Sequence, residues 1–87
     1  MTARYQIELT RAARRALDPL PTKVQKRIDR QILALGKNPY PPGSKKLRGA
    51  EGLHRVRVGD YRILYIVEAD RLVIAIVTIG HRREVHR

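Results

Sequence analysis

Hydrophobic positions recur with two different periods along this chain of 87 residues, and the change of period marks off its elements. From Arg4 to Leu9 the alternation is strict: Tyr5, Ile7 and Leu9 share one side, and Arg4, Gln6 and Glu8 the other. That spacing predicts a half-buried strand. Thr10 stands where a helix cap belongs, and a short helix follows from Arg11 to about Leu17, with Ala12, Ala13, Ala16 and Leu17 as its small apolar side. Pro19-Leu20-Pro21 breaks it. Pro21 suits the first position of a longer helix running to Leu35 on a stripe of Val24, Ile28, Ile32 and Leu35, and Gly36 is expected to close it. Lys23, Lys26, Arg27, Arg30 and Gln31 fall on its water-facing side.

Between Lys37 and Gly52 neither period holds. Asn38-Pro39-Tyr40-Pro41-Pro42-Gly43 excludes helix and central strand, because each proline lacks an N–H and restricts the residue before it. Ser44 to Gly49 then reads as a basic loop. Period two returns in Leu53–Glu68, where Gly59-Asp60 separates two runs rich in Val, Ile, Leu and Tyr and predicts a β-hairpin. Ala69-Asp70 gives a second tight turn, and Arg71 to Ile79 a third strand. Helices followed by strands predict an α+β fold: strand, helix, helix, then a three-stranded antiparallel meander, with the helix hairpin packed on one face of the sheet. The whole chain, residues 1–87, is expected to form one domain.

The last two strands are apolar on both sides. Ile63, Tyr65 and Val67 lie on one, and Leu64, Ile66, Val73, Ala75 and Val77 on the other. Helices cover only one side, so the second is left for the C-terminal segment, for a partner, or as an exposed patch. A bulge would shift this register and mix the two sides.

The same hairpin carries an electrostatic anomaly. With Gly59-Asp60 as its loop, Val58 faces Tyr61, Arg57 faces Arg62, and Arg55 lies opposite Leu64. Like charges opposed across a sheet cost roughly 0.2–1 kcal/mol per pair. The arrangement makes sense if an anion comes to rest between the guanidinium groups, and phosphate is the natural one.

Charge balance extends the point. Nineteen Lys and Arg against eight Asp and Glu give a net +11, and arginine outnumbers lysine fourteen to five. Arginine's planar fork matches phosphate oxygens better than an ammonium does. Such a surface favours nucleic acid, a ribosome or an acidic protein over an anionic membrane, for which no basic helix has a broad apolar face. The absence of cysteine excludes disulfides and thiolate metal sites. The N-terminus does not read as a signal peptide, and the longest apolar run, Leu72–Ile79, is far short of a membrane span, so a cytoplasmic location is expected.

The order of elements, combined with KKLRG (Lys45–Gly49), GLHRVRVGDYRILY (Gly52–Tyr65) and IGHRREVHR (Ile79–Arg87), resembles the RelE-type toxins of the RelE/ParE superfamily, found in bacterial toxin–antitoxin pairs. The resemblance covers essentially the whole chain. It implies a ribosome-dependent messenger RNA endonuclease, using neither metal nor other cofactor and neutralised by an antitoxin protein that wraps around it. Cleavage in that family goes through attack of the ribose 2′-hydroxyl on the adjacent phosphate. The family's basic pair falls on Arg55 and Arg57, the arginine of its Y-R motif on Arg62, and the arginine after Gly80-His81 on Arg82. Its C-terminal aromatic, usually tyrosine, falls on His86.

That departure moves the proton chemistry. Attack by a 2′-hydroxyl needs a base, an acid for the leaving 5′-oxygen, and cations for the charge building on the phosphorane. Arginine stays protonated and cannot be the base. His86, with an ordinary pKa near 6.5, is the natural general acid or base, with Arg57, Arg62 and Arg82 as the phosphate clamp. Lys45, Lys46, Arg48 and Arg83 are expected to touch RNA backbone or ribosome in a general way.

Each residue also has a plainer reading. Arg55 and Arg57 alternate with Val56 and Val58 and suit a solvated strand face; Arg82, Arg83 and His86 suit a basic chain end. His54 points with Val56 and Val58 toward the core, as do Tyr61 and Tyr65. Two other functions stay open: a ParE-like inhibitor of DNA gyrase without nuclease chemistry, and a degenerate toxin that only binds its antitoxin or DNA.

Overall fold

In the computed structural model, which describes residues 4–81, two helices pack on one face of a mixed five-stranded sheet. The chain runs through β1 (Gln6–Leu9), α1 (Arg11–Leu17), α2 (Thr22–Lys37), β2 (Lys45–Lys46), β3 (Leu53–Val58), β4 (Tyr61–Glu68) and β5 (Val73–His81). Strand order across the sheet is β1-β5-β4-β3-β2. Every pairing is antiparallel except β1 with β5, which is parallel, so the α+β architecture and the meander are as the sequence predicts.

Local chemistry explains the helix boundaries. Thr10 caps α1 by accepting a hydrogen bond from the Ala13 N–H at 3.1 Å. Pro21 is the cap of α2 rather than its first residue, and the helix continues past Gly36 to Lys37. Gly36 therefore does not stop α2. It is buried because the chain entering β1 crosses it: the Tyr5 N–H donates to the Gly36 carbonyl at 2.9 Å, and a Cβ there would stand 3.1 Å from Tyr5 O.

The core lies between the helices and one sheet face. Ile28, Ile32 and Leu35 of α2 and Ala13 of α1 meet Val56, Ile63, Tyr65, Val67, Ile74, Ile76 and Ile79. Tyr65 is fully buried and donates its hydroxyl to Pro39 O at 2.8 Å, which fastens the proline-rich segment to the sheet. His54 is half-buried between Tyr65 and Tyr40, at ring distances of 5.7 and 5.1 Å, with Nδ1 2.8 Å from Gly52 O. Its place is structural, as its side of the strand predicts.

The expected register needs one correction. The ladder of β4 and β5 steps from Leu64↔Thr78 to Tyr65↔Ile76, so Val77 is an extra residue without a partner on β4. Its carbonyl accepts the Thr10 hydroxyl instead, which ties the bulge to the start of α1. Beyond the bulge Ile79 turns into the core, while Val73 and Ala75 keep to the far face with Leu64 and Ile66. On that far face Leu53, Leu64, Ile66 and Ala75 are half-buried.

Two further elements differ from expectation. Lys45 and Lys46 form a two-residue strand against Arg55 and His54, not a loop. The turn after β4 takes four residues, Ala69 to Leu72, closed by an Arg71 N–H bond to Glu68 O (3.1 Å) and a Glu68–Arg71 salt bridge (2.9 Å). No helix among the described residues is long and apolar enough to cross a membrane.

Gly52 sets where β3 begins. Its φ is +78°, its carbonyl accepts the Val67 N–H at 3.0 Å, and an added Cβ would stand 2.8 Å from Val67 O. Gly52→Ala should therefore cost about 2 kcal/mol or more in urea unfolding, against about 1 kcal/mol for Gly49→Ala, which meets open space. An equal effect of the two would contradict this account.

Burial raises the Tyr65 pKa above its ordinary value of 10.0, a nearby Ser44 side chain opposes the shift, and Tyr40 adds to it. The folded-state value lies above the unfolded one, so the stabilisation is complete below the unfolded pKa and is lost as pH rises through the folded one. Tyr65→Phe should cost about 1–2 kcal/mol at neutral pH by stranding the Pro39 carbonyl. The gap between variant and parent should narrow in denaturation curves taken above pH 10.

Candidate functional site

The far face of the sheet, away from the helices, carries two cationic rungs. In one, Lys45 of β2 lies opposite Arg55 of β3, which lies opposite Leu64 and then Thr78. In the next, Arg57 pairs with Arg62, and Arg62 with Gly80. Alternation along each strand puts Lys45, Arg55, Arg57 and Arg62 on one side. The opposition of Arg57 and Arg62, read from the sequence, is thus present in the register.

The hairpin turn fixes these rungs. Gly59 has φ +58° while Asp60 stays on the negative side, the signature of a two-residue turn with glycine first, whose twist matches the flanking strands. Gly80, beside Arg62, presents no side chain to the same face. Arg62 retains only 8% of its surface exposed, whereas Arg57 is exposed.

Arg57 is also turned toward the hairpin tip. Its Nε donates to Gly59 O at 2.9 Å, and the residue lines a groove of about 530 Å³ with Val58, Gly59 and, from α2, Arg27, Arg30, Gln31 and Ala34. Arg27 lies close over the turn: a Cβ on Gly59 would stand 3.3 Å from its Nη2. Arg57 therefore belongs both to the far face and to the sheet edge, where α2 comes alongside.

The other expected residues divide. Lys46 pairs with His54 and so falls on the helix side of the sheet, away from Lys45. Arg48 is exposed in the loop after β2, where it shares a hollow with Lys46, Gly49 and Glu51. Arg82, Arg83 and His86 lie outside the described residues. His81, at the end of β5, meets Tyr61 edge-on at 5.2 Å. Sequence reasoning missed Arg27 and Arg30 as part of a basic groove. Their spacing of three on one helix was the available signal, but nothing local shows that β3 lies beside them.

Chemically, the far face offers permanently charged donors for an anion and no titratable base of its own among Lys45, Arg55, Arg57 and Arg62 other than the lysine. No group of three or more His, Asp or Glu side chains among the described residues is placed to hold a metal ion.

Comparison with known proteins agrees over the whole fold. The model of the ParE toxin of the parDE type II toxin–antitoxin system matches residues 7–86. A putative toxin RelE1 of Methanocaldococcus jannaschii is 29% identical over 97% of both chains, and a toxin RelE of Mycobacterium tuberculosis is 31% identical over 95% of this chain and 87% of its own. Among solved structures, the archaeal RelE–RelB complex of Pyrococcus horikoshii contains a chain that superposes with TM-score 0.81 at 31% identity, over 94% of this chain and 97% of that one. The RelBE2 toxin–antitoxin complex of M. tuberculosis gives 0.81 at 27%, over 94% and 95%. With its two-helix, five-stranded architecture and its match to the family model over nearly its full length, the chain belongs to the RelE/ParE family of type II toxins.

Proposed function

We propose that this toxin arrests translation by cutting messenger RNA on the ribosome, through attack of a ribose 2′-hydroxyl on the adjacent phosphate. The observation that carries this reading is the pairing of Arg57 with Arg62 beside the Lys45–Arg55 rung. A phosphorane in the transition state carries more negative charge than the ground-state diester, and guanidinium groups gathered on one face suit that charge. Arg55, Arg57 and Arg62, with Arg82 from the closing segment, hold the phosphate. His86 moves the proton. Lys45, Lys46, Arg48 and Arg83 add sequence-independent contacts to RNA backbone or ribosome.

Between episodes of activity an antitoxin protein covers the far face, making a toxin–antitoxin hetero-oligomer. Support comes from the solved relatives, which are toxin–antitoxin complexes, and from the face itself, where basic rungs adjoin half-buried apolar residues. The match to the ParE model favours a second reading, a gyrase inhibitor with the same fold and no nuclease chemistry.

One experiment separates the two. The protein is induced in growing cells, and messenger 5′ ends are mapped beside DNA supercoiling. Cuts within translated codons are expected; intact messages with DNA damage would select the gyrase reading. Arg57→Gln should lower the cutting rate by about 10²-fold or more, the usual loss when one charge-stabilising donor is removed. His86→Ala should abolish cleavage while ribosome binding, followed by co-sedimentation, persists. Full cleavage by His86→Ala would remove histidine from the mechanism.

A further inference from the structure

The groove between α2 and the tip of the β3–β4 hairpin is built like an anion site, and apart from Arg57 its residues lie outside the cationic rungs of the far face. Arg27 and Arg30 are three positions apart on α2 and reach the same hollow, and Arg57 enters it from β3. Like charges three apart on a helix cost about 0.2–0.5 kcal/mol, and a third guanidinium adds to that. Among the described residues no carboxylate lines the groove; Asp60 borders the adjoining hollow with Arg27. None of the three arginines forms a salt bridge with a described residue. Beyond Arg55, the outer edge of β3 has no neighbouring strand among the described residues, so the groove is open along its length.

From this geometry we infer that the groove binds the phosphodiester backbone of a second RNA segment, separate from the phosphate being cut. The inference rests on the nuclease reading and extends it from one phosphate to a second stretch of RNA. Guanidinium forks and the Gln31 amide supply donors for phosphate oxygens at several angles. Among the described residues apolar lining is confined to Ala34 and Val58, so a docked peptide would find no deep pocket there for the anchoring side chains from which such complexes draw their affinity. Phosphate backbone needs no such anchor. Arg57 joins the two places: a strand held over the far face and a second one in the groove would meet the same side chain from opposite directions.

The test uses the whole chain and a 20-nucleotide single-stranded RNA with 2′-deoxy positions throughout its cleavable stretch, so that binding is read without cutting. Arg30→Gln should weaken binding about threefold or more and lower the slope of log Kd against log salt concentration by about 0.7, the share of one phosphate contact on a single strand. The double variant Arg27→Gln/Arg30→Gln should lose about twice that slope. Arg14→Gln/Arg15→Gln on α1 removes the same charge away from the groove and should leave the slope within error. Because Arg27 lies over the hairpin turn, the unmodified protein gives a second readout. The side-chain N–H resonances of Arg27 and Arg30 should move on adding this RNA and stay in place with polyglutamate at equal charge. An equal loss in the α1 variant, an unchanged slope in the groove variants, or larger shifts with polyglutamate would each overturn the proposal. Message cleavage in cells reports on the nuclease reading by itself: groove-dependent binding without cleavage would sink that reading and leave the groove standing.

Discussion

A single unpaired residue in β5 decides how the rest of the sheet divides its labour. Val77 has no partner on β4, so the side chains after it change sides relative to those before it. Ile79 thereby enters the core, where burying such a side chain contributes about 1.5–3 kcal/mol, and Gly80 takes the position next to Arg62. Without the extra residue Ile79 would stand on the far face among the arginines, and the core would lose it. The carbonyl that the bulge releases is satisfied by Thr10, so the device is tied to the start of the first helix. Bulges are found where a strand must aim particular side chains, and this one separates the apolar half of the far face from its cationic half.

Much of this was legible in the residues themselves. The hairpin register followed from Gly59-Asp60 and from strict alternation on either side, because turn length fixes pairing and pairing fixes facing. Thr10 as a cap, the apolar stripe of α2 and the inward side of His54 and Tyr65 were equally plain. What escaped has physical reasons. Lys45-Lys46 is too short a strand to show a period, and it exists only because Arg55 and His54 offer an edge. In the run from Val73 to Ile79, apolar residues occupy both parities, so no pattern marks where the bulge falls. Gly36 looks like a stop signal, yet it serves a close approach by Tyr5, a contact between segments far apart in the chain. The basic groove escaped for the same reason: helical spacing shows Arg27 and Arg30 together, but not what lies opposite them.

The cationic surface illustrates a compromise between folding and use. Arg57 faces Arg62 across the ladder, and Arg27 and Arg30 crowd the neighbouring groove. On a helix, like charges so spaced subtract a few tenths of a kcal/mol. The burial of Ile28, Leu35, Ile63, Tyr65, Ile74 and Ile76 on the opposite side outweighs that loss. With the core on one face of the sheet and the cationic rungs on the other, the charged side chains of the strands are not those that hold the helices.

Topology adds a temporal consequence. Among the described residues β1 pairs only with β5, the last strand of the sheet in chain order. Closing so distant a pair is slow compared with local hairpin formation. A nascent chain lacking β5 has an unmatched first strand and no outer rail beside Arg62. The hairpin that bears Arg57 and Arg62 depends only on pairing close in sequence, so the cationic rungs can form before the first strand finds its place.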